Sequence, residues 1–86
     1  MYAQEVSSGC QKDIAKLIRK NWALKEALEK KLKQILENPY HFKSLGNLLK
    51  GRRRVHIYSC FVLLYIIDEP NKVVKLLKFG HHDEAY

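Results

Sequence analysis

Apolar residues in the first half of the chain recur with a helical period. Cys10, Ile14, Leu17 and Ile18 stand at i, i+4, i+7 and i+8, with Lys12, Lys16, Arg19 and Lys20 facing away, which predicts an amphipathic helix over residues 8–20. Ser8-x-x-Gln11 has the form of a capping box, in which two side chains satisfy orphan N–H groups reciprocally, and it sets the expected start. Asn21 interrupts the pattern and is placed to cap a second helix. The stripe resumes at Leu24, Leu28, Leu32, Ile35 and Leu36, supported by Glu26–Lys30 and Glu29–Lys33 pairs at i, i+4, and Asn38-Pro39 ends it, giving a helix over residues 22–37. Trp22, at its start, reads as core or helix-junction packing.

Beyond Pro39 the period shortens to that of a strand. Residues 40–51 contain Gly46 and Gly51 and read as a loop, although Leu45, Leu48 and Leu49 need apolar cover. Residues 52–59 alternate, with Val55 and Ile57 on one face and Arg54, His56 and Tyr58 on the other. Residues 61–67 are apolar on both faces, as in a central strand, and Asp68-Glu69-Pro70-Asn71 is a turn sequence leading to a third strand over residues 72–79. Short connections imply an antiparallel meander, with residues 2–7 as a first strand beside it. The predicted class is α+β, in the order β-α-α-β-β-β, with two helices packed on one face of a small twisted, mostly antiparallel sheet.

Length and charge narrow the picture. Eighty-six residues suit a single domain spanning 1–86, and 47% apolar residues argue against disorder. The net charge is +7, which favours phosphate backbones, acidic proteins or anionic lipid over a neutral small molecule. No Asp or Glu occurs between Asn38 and Ile67, where Lys43, Lys50, Arg52, Arg53 and Arg54 supply fixed positive charge. The longest apolar run, residues 60–67, is far below the roughly 20 residues that cross a bilayer, so no membrane span is expected. Cys10 and Cys60 make no disulfide framework and read as buried small hydrophobes. The N-terminus lacks the basic and apolar regions of a signal peptide, and the expected location is the cytoplasm.

The candidate chemistry gathers on one face. If the helices cover Val55 and Ile57, then Arg54, His56 and Tyr58 face outward, joined by Lys43 and Lys50 from the loop, with Arg52 as a second phosphate contact. Parity along residues 72–79 allows at most one of Lys75 and Lys78 on that side. The ending Gly80-His81-His82-Asp83-Glu84-Ala85-Tyr86 can bring His81, His82 or Tyr86 beside it. Cleaving RNA without a metal needs a base for the 2′-hydroxyl proton, a cation for the crowded phosphorane and an acid for the departing 5′-oxygen. Histidine serves as either base or acid near neutrality, Arg54 can clamp two phosphate oxygens, and Tyr58, Tyr86 or Phe79 can stack on an unpaired base. A zinc site is not expected, because adjacent histidines chelate one ion poorly and no C-x2-C pair exists. No cofactor is implied.

The order β-α-α-β-β-β, the stretch Leu45-x4-Lys50-Gly51-x-Arg53-Arg54-Val55-His56-Ile57, the run Phe61-Val62-Leu63-Leu64-Tyr65 and the ending His82-x3-Tyr86 resemble the RelE/ParE toxin superfamily, closest to its YafQ-like branch. The resemblance implies a toxin of a type II toxin–antitoxin system that cleaves messenger RNA in the ribosomal A site, without metal, leaving a 2′,3′-cyclic phosphate. It further implies an acidic antitoxin protein as partner. Carried over residue by residue, His56 and His82 match the strand and tail histidines of that branch, and Tyr86 its terminal aromatic. Lys43 falls where the branch has another histidine, and Cys60 where it has an aspartate. Two readings of another class stand beside the nuclease: a ParE-like gyrase inhibitor, and an inactive member that only pairs with its antitoxin. A plain basic RNA-binding domain is a further one.

Overall fold

A computed structural model describes residues 1–42, 52–58 and 60–81 of the chain. The elements are β1 (Ala3–Val6), α1 (Ser8–Ile18), α2 (Trp22–Glu37), β2 (Arg52–Ile57), β3 (Phe61–Asp68) and β4 (Val73–His81). They form one four-stranded sheet in the order β1-β4-β3-β2, and both helices pack on one of its faces. β2, β3 and β4 make the expected antiparallel meander, whereas β1 joins the edge of β4 in parallel, so the sheet is mixed. A parallel partner requires a long crossover, which the two helices provide.

Local sequence explains most element ends. Asn21 Oδ1 accepts the Leu24 N–H at 3.0 Å, capping α2 as its position predicted. The cap of α1 is Ser7, one residue before the expected Ser8: its Oγ accepts the Cys10 N–H at 3.1 Å. The reason is tertiary. The Ser7 N–H donates to the Leu76 carbonyl and its hydroxyl to the Leu77 carbonyl, so Ser7 is held extended against β4 and Ser8 is the first residue able to turn. α1 also stops at Ile18, two residues short of the expected end.

The core is the space between the layers. Cys10, Leu24, Leu28 and Ile35 from the helices meet Val55, Ile57, Leu63, Tyr65, Val74, Leu76 and Phe79 from the sheet. Trp22 is not among them and is 70% exposed, with the Lys25 ammonium 4.7 Å from its ring centroid. It lies two residues before Leu24, roughly 200° around the helix from the buried stripe, and therefore faces water. Cys60 is likewise exposed, while Cys10 is buried, and burial with the nearby Asp13 charge pushes its thiol up to about 11. Neither cysteine forms a disulfide.

The β3–β4 turn ties the edges of the fold together. Glu69 Oε1 accepts the hydroxyls of Tyr2 (2.6 Å) and Tyr40 (2.5 Å), and Oε2 accepts the Lys72 ammonium. These hydrogen bonds, that of Lys72 foremost, hold the Glu69 carboxyl down at about 2, and the bond to Glu69 drives the Tyr40 phenol up to about 12. Lys72 has φ 55° and belongs to the turn, so β4 begins at Val73 rather than 72. Arg53 points to the helix side, where its Nη1 donates to the Phe42 carbonyl at 2.6 Å and its guanidinium lies 5.1 Å from the Tyr40 ring centroid. The buried Tyr65 hydroxyl donates to the Pro39 carbonyl at 2.6 Å.

Candidate functional site

Because α2 covers the side of β2 that carries Val55 and Ile57, strand alternation turns Arg52, Arg54 and His56 to the side away from the helices. Cross-strand register then defines three rows on that face: Arg52–Ile66–Lys75, Arg54–Leu64–Lys78 and His56–Val62–Gly80. Val62 and Leu64 are buried there, outside the helix-side cluster, and form an apolar floor between cations.

A β-bulge decides which lysines share the face. Between the pairs Leu64–Lys78 and Tyr65–Leu76, Leu77 is an extra residue on β4, so the in–out parity reverses there. Val74 and Leu76 point into the core before it, and Phe79 after it. Lys75 and Lys78 consequently both stand on the side away from the helices, against the expectation that at most one would. Their surroundings differ: Lys75 lies 3.8 Å from both Glu5 and Asp68, which offset its charge, whereas Lys78 is exposed in the row of Arg54.

Gly80 ends the third row. Gly80 is itself buried, and a Cβ built there would meet no atom of the described residues within 4 Å, so among those residues there is room for a small side chain at the β4 end of the row that begins with His56. The arrangement can accept a phosphate at Arg54 and Lys78 and present the His56 imidazole from the adjacent row.

Other candidates are placed elsewhere. Strand β4 extends through Gly80 to His81, beyond the expected end at 79, and His81 pairs with Phe61. Its ring lies 4.6 Å from that of Phe61, which is also 5.8 Å from Phe79, so His81 belongs to an aromatic group on the helix side and not to the face of Arg54 and His56. Tyr58 follows β2 in a turn with φ 54° and is 54% exposed, at the rim rather than in the alternating row. Lys43, Lys50, His82 and Tyr86 lie outside the described residues, as do Leu45, Leu48 and Leu49. Lys78 and Gly80 are the site residues that sequence reasoning missed, since only the bulge sets the parity of Lys78. Among the described residues, no three His, Cys, Asp or Glu side chains gather in a way that could hold a metal ion. No described helix is long and apolar enough to cross a membrane.

Comparison with known proteins supplies the lineage. Residues 5–86 match the family model described as the ParE toxin of the type II toxin–antitoxin system parDE. The chain is 38% identical over its full length, and 92% of the relative's, to "Putative toxin RelE4" of Methanocaldococcus jannaschii. Among solved structures, a toxin from Helicobacter pylori superposes with a TM-score of 0.82 at 27% identity over all of both chains. YafQ from Escherichia coli superposes with a TM-score of 0.78 at 21% identity over 100% of this chain and 99% of that one, and shows the fold alone. The same holds for a chain of the intact E. coli RelBE toxin–antitoxin complex, with a TM-score of 0.73 at 24% identity over 93% of this chain and 95% of that one. The protein thus belongs to the ParE toxin family and is a type II toxin–antitoxin toxin of the RelE/ParE superfamily, with the two-helix, four-stranded fold of RelE-like toxins.

Proposed function

We propose that this toxin is an endoribonuclease that cleaves messenger RNA in the ribosomal A site without a metal ion. The observation that carries the reading is the sheet face away from the helices, where Arg54 shares a row with Lys78 and His56 stands in the adjacent row. His56 and His82 are assigned as the acid–base pair. One removes the 2′-hydroxyl proton, O2′ attacks phosphorus, the P–O5′ bond breaks, and the other protonates O5′, leaving a 2′,3′-cyclic phosphate. Arg54 holds the phosphate and stabilises charge that builds up in the transition state. Arg52, Lys43, Lys50 and Lys78 position the backbone, and Tyr58 and Tyr86 stack on bases.

An acidic antitoxin is the proposed protein partner, and a strand or helix of it laid across this face would block the reaction by occupying it. The proposed location is the cytoplasm, where ribosomes are. Gyrase inhibition is the second reading, favoured by a family model described by the ParE toxin itself.

The test is primer extension of messenger RNA on stalled ribosomes in EDTA, with free RNA alongside, comparing the native toxin with His82→Ala and His56→Ala. Discrete A-site cuts that fall by about 10²–10⁴-fold in the variants are expected. A loss below tenfold in His82→Ala removes that residue from acid–base work. Absence of cuts with a folded native toxin, together with poisoning of gyrase, replaces the nuclease by the second reading.

A further inference from the structure

The connection between α1 and α2 consists of Arg19, Lys20 and Asn21 alone. The Asn21 N–H donates to the Ile18 carbonyl at 3.1 Å, and Asn21 in turn accepts the Leu24 N–H with its side chain and the Lys25 N–H with its carbonyl. These bonds close a tight corner with Arg19 and Lys20 at its tip and Trp22 just beyond. All three of those side chains are exposed, and Lys25 reaches back over the Trp22 ring at 4.7 Å.

Packing does not account for the indole. Asn21 caps the helix with its own side chain, and the buried stripe starts at Leu24. Among the described residues, Trp22 is the only large apolar side chain exposed on a helix, and no carboxylate forms an ion pair with Arg19 or Lys20. Lys25 has only Glu29, at 4.0 Å and between exposed groups, a contact that holds it weakly. The ammonium covers one face of the indole and leaves the other as a flat apolar surface framed by fixed positive charge. A base attached to phosphates has the matching chemistry. A membrane-surface helix would instead present a broad apolar face, and the exposed positions that follow Trp22 along α2 include Glu26, Glu29, Lys30 and Lys33.

We propose that this corner is a second RNA-binding site, separate from the face of Arg54 and His56, in which Trp22 stacks on one unpaired base and Arg19 and Lys20 hold the flanking phosphates. Both helices pack on the sheet face opposite to Arg54 and His56, so RNA held at the corner leaves that other face free. The site distinguishes an unpaired base from a paired one and not one base from another, because stacking uses the π-face that every base shares. The inference stands whether or not the toxin cuts RNA.

Trp22 is the only tryptophan of the chain, so its fluorescence reports this corner. The full-length toxin is titrated with a 2′-O-methyl hexanucleotide, which lacks the attacking hydroxyl and stays whole, and with an abasic strand of the same length. The hexanucleotide is expected to quench the indole saturably, and the abasic strand to leave it bright. Arg19→Gln combined with Lys20→Gln should raise the midpoint and make the fall of log K with log salt shallower by about 1.4, at about 0.7 for each phosphate contact on a single strand, whereas Arg54→Ala should change neither. In the Arg54→Ala background, anisotropy of the labelled hexanucleotide should show binding weakened at least about fivefold by Trp22→Ala, with Trp22→Phe recovering part. Absence of quenching, equal quenching by the abasic strand, or a midpoint that Arg54→Ala moves as far as the double variant does, overturns the site. Quenching or a blue shift on phosphatidylglycerol vesicles, with none on RNA, gives the corner to a membrane instead. Saturable quenching in a toxin that cuts no RNA upholds the site and defeats the nuclease reading alone.

Discussion

Replacing Gly80 with valine should separate the stability of the sheet from the use of the face that carries Arg54 and His56. Glycine inside a strand costs about 0.5–1 kcal/mol relative to alanine in backbone entropy, and a β-branched side chain suits the pleated surface better still. No described residue opposes the gain, because a Cβ at Gly80 meets none of their atoms within 4 Å. The variant should thus be more stable by about 0.5–1 kcal/mol, which for a domain of this size raises Tm by roughly 2–8 °C. Activity should move the other way. The methyl groups stand in the row of His56, next to that of Arg54, and displacement of the reacting groups by even ~1 Å costs on the order of 10²-fold. Circular dichroism melting gives Tm, and primer extension on stalled ribosomes gives cleavage. Gly80→Ala should keep most of the added stability and lose less activity, since it adds one methyl rather than three carbons. A valine variant that cuts within about threefold of the native rate would refute the assignment of this row to substrate, and a Tm lowered by several degrees would show that the row has no room for a side chain at Gly80.

Three further outcomes follow from individual contacts. Arg54→Ala should slow cleavage by about 10²–10³-fold, with Arg54→Lys recovering only part because the paired donors are lost, and a lysine variant at native rate would argue against a two-oxygen clamp. Tyr65→Phe removes the donor to the Pro39 carbonyl and should cost about 1–3 kcal/mol, seen as a lowered urea midpoint with unchanged m-value; an unchanged midpoint would mean that water replaces the hydroxyl. Glu69 is held at about 2, below its ordinary 4.5, by Lys72, Tyr2 and Tyr40, so its contribution is complete above pH ~5 and fades as pH falls toward 2. Acid unfolding followed by fluorescence should show a shallower decline over that range for Glu69→Gln than for the native chain, and parallel curves would exclude this carboxylate as a source of acid lability.

The parts of the fold legible in the sequence are those governed by near neighbours along the chain. Both amphipathic helices, the Asn21 cap, the stop at Asn38-Pro39 and the strand alternation through Val55, His56 and Ile57 depend on periods and hydrogen bonds that span a few residues. Alternation alone was enough to put Arg54 and His56 on one face once that of Val55 and Ile57 was buried. Pairing between distant segments decided the rest. The attachment of Ser7 to Leu76 and Leu77 moved the helix cap from Ser8 to Ser7, and β1 found a parallel partner. Equally, Arg53 looks like its two arginine neighbours in sequence, and only the Phe42 carbonyl and the Tyr40 ring mark it as a structural clamp. The bulge at Leu77 reversed the parity of β4, bringing Lys78 to the face of Arg54, while the extension of β4 to His81 carried that histidine to the other side. A period-2 pattern specifies which residues share a face only while pairing is regular, and one inserted residue, set by the partner strand, reassigns every side chain beyond it.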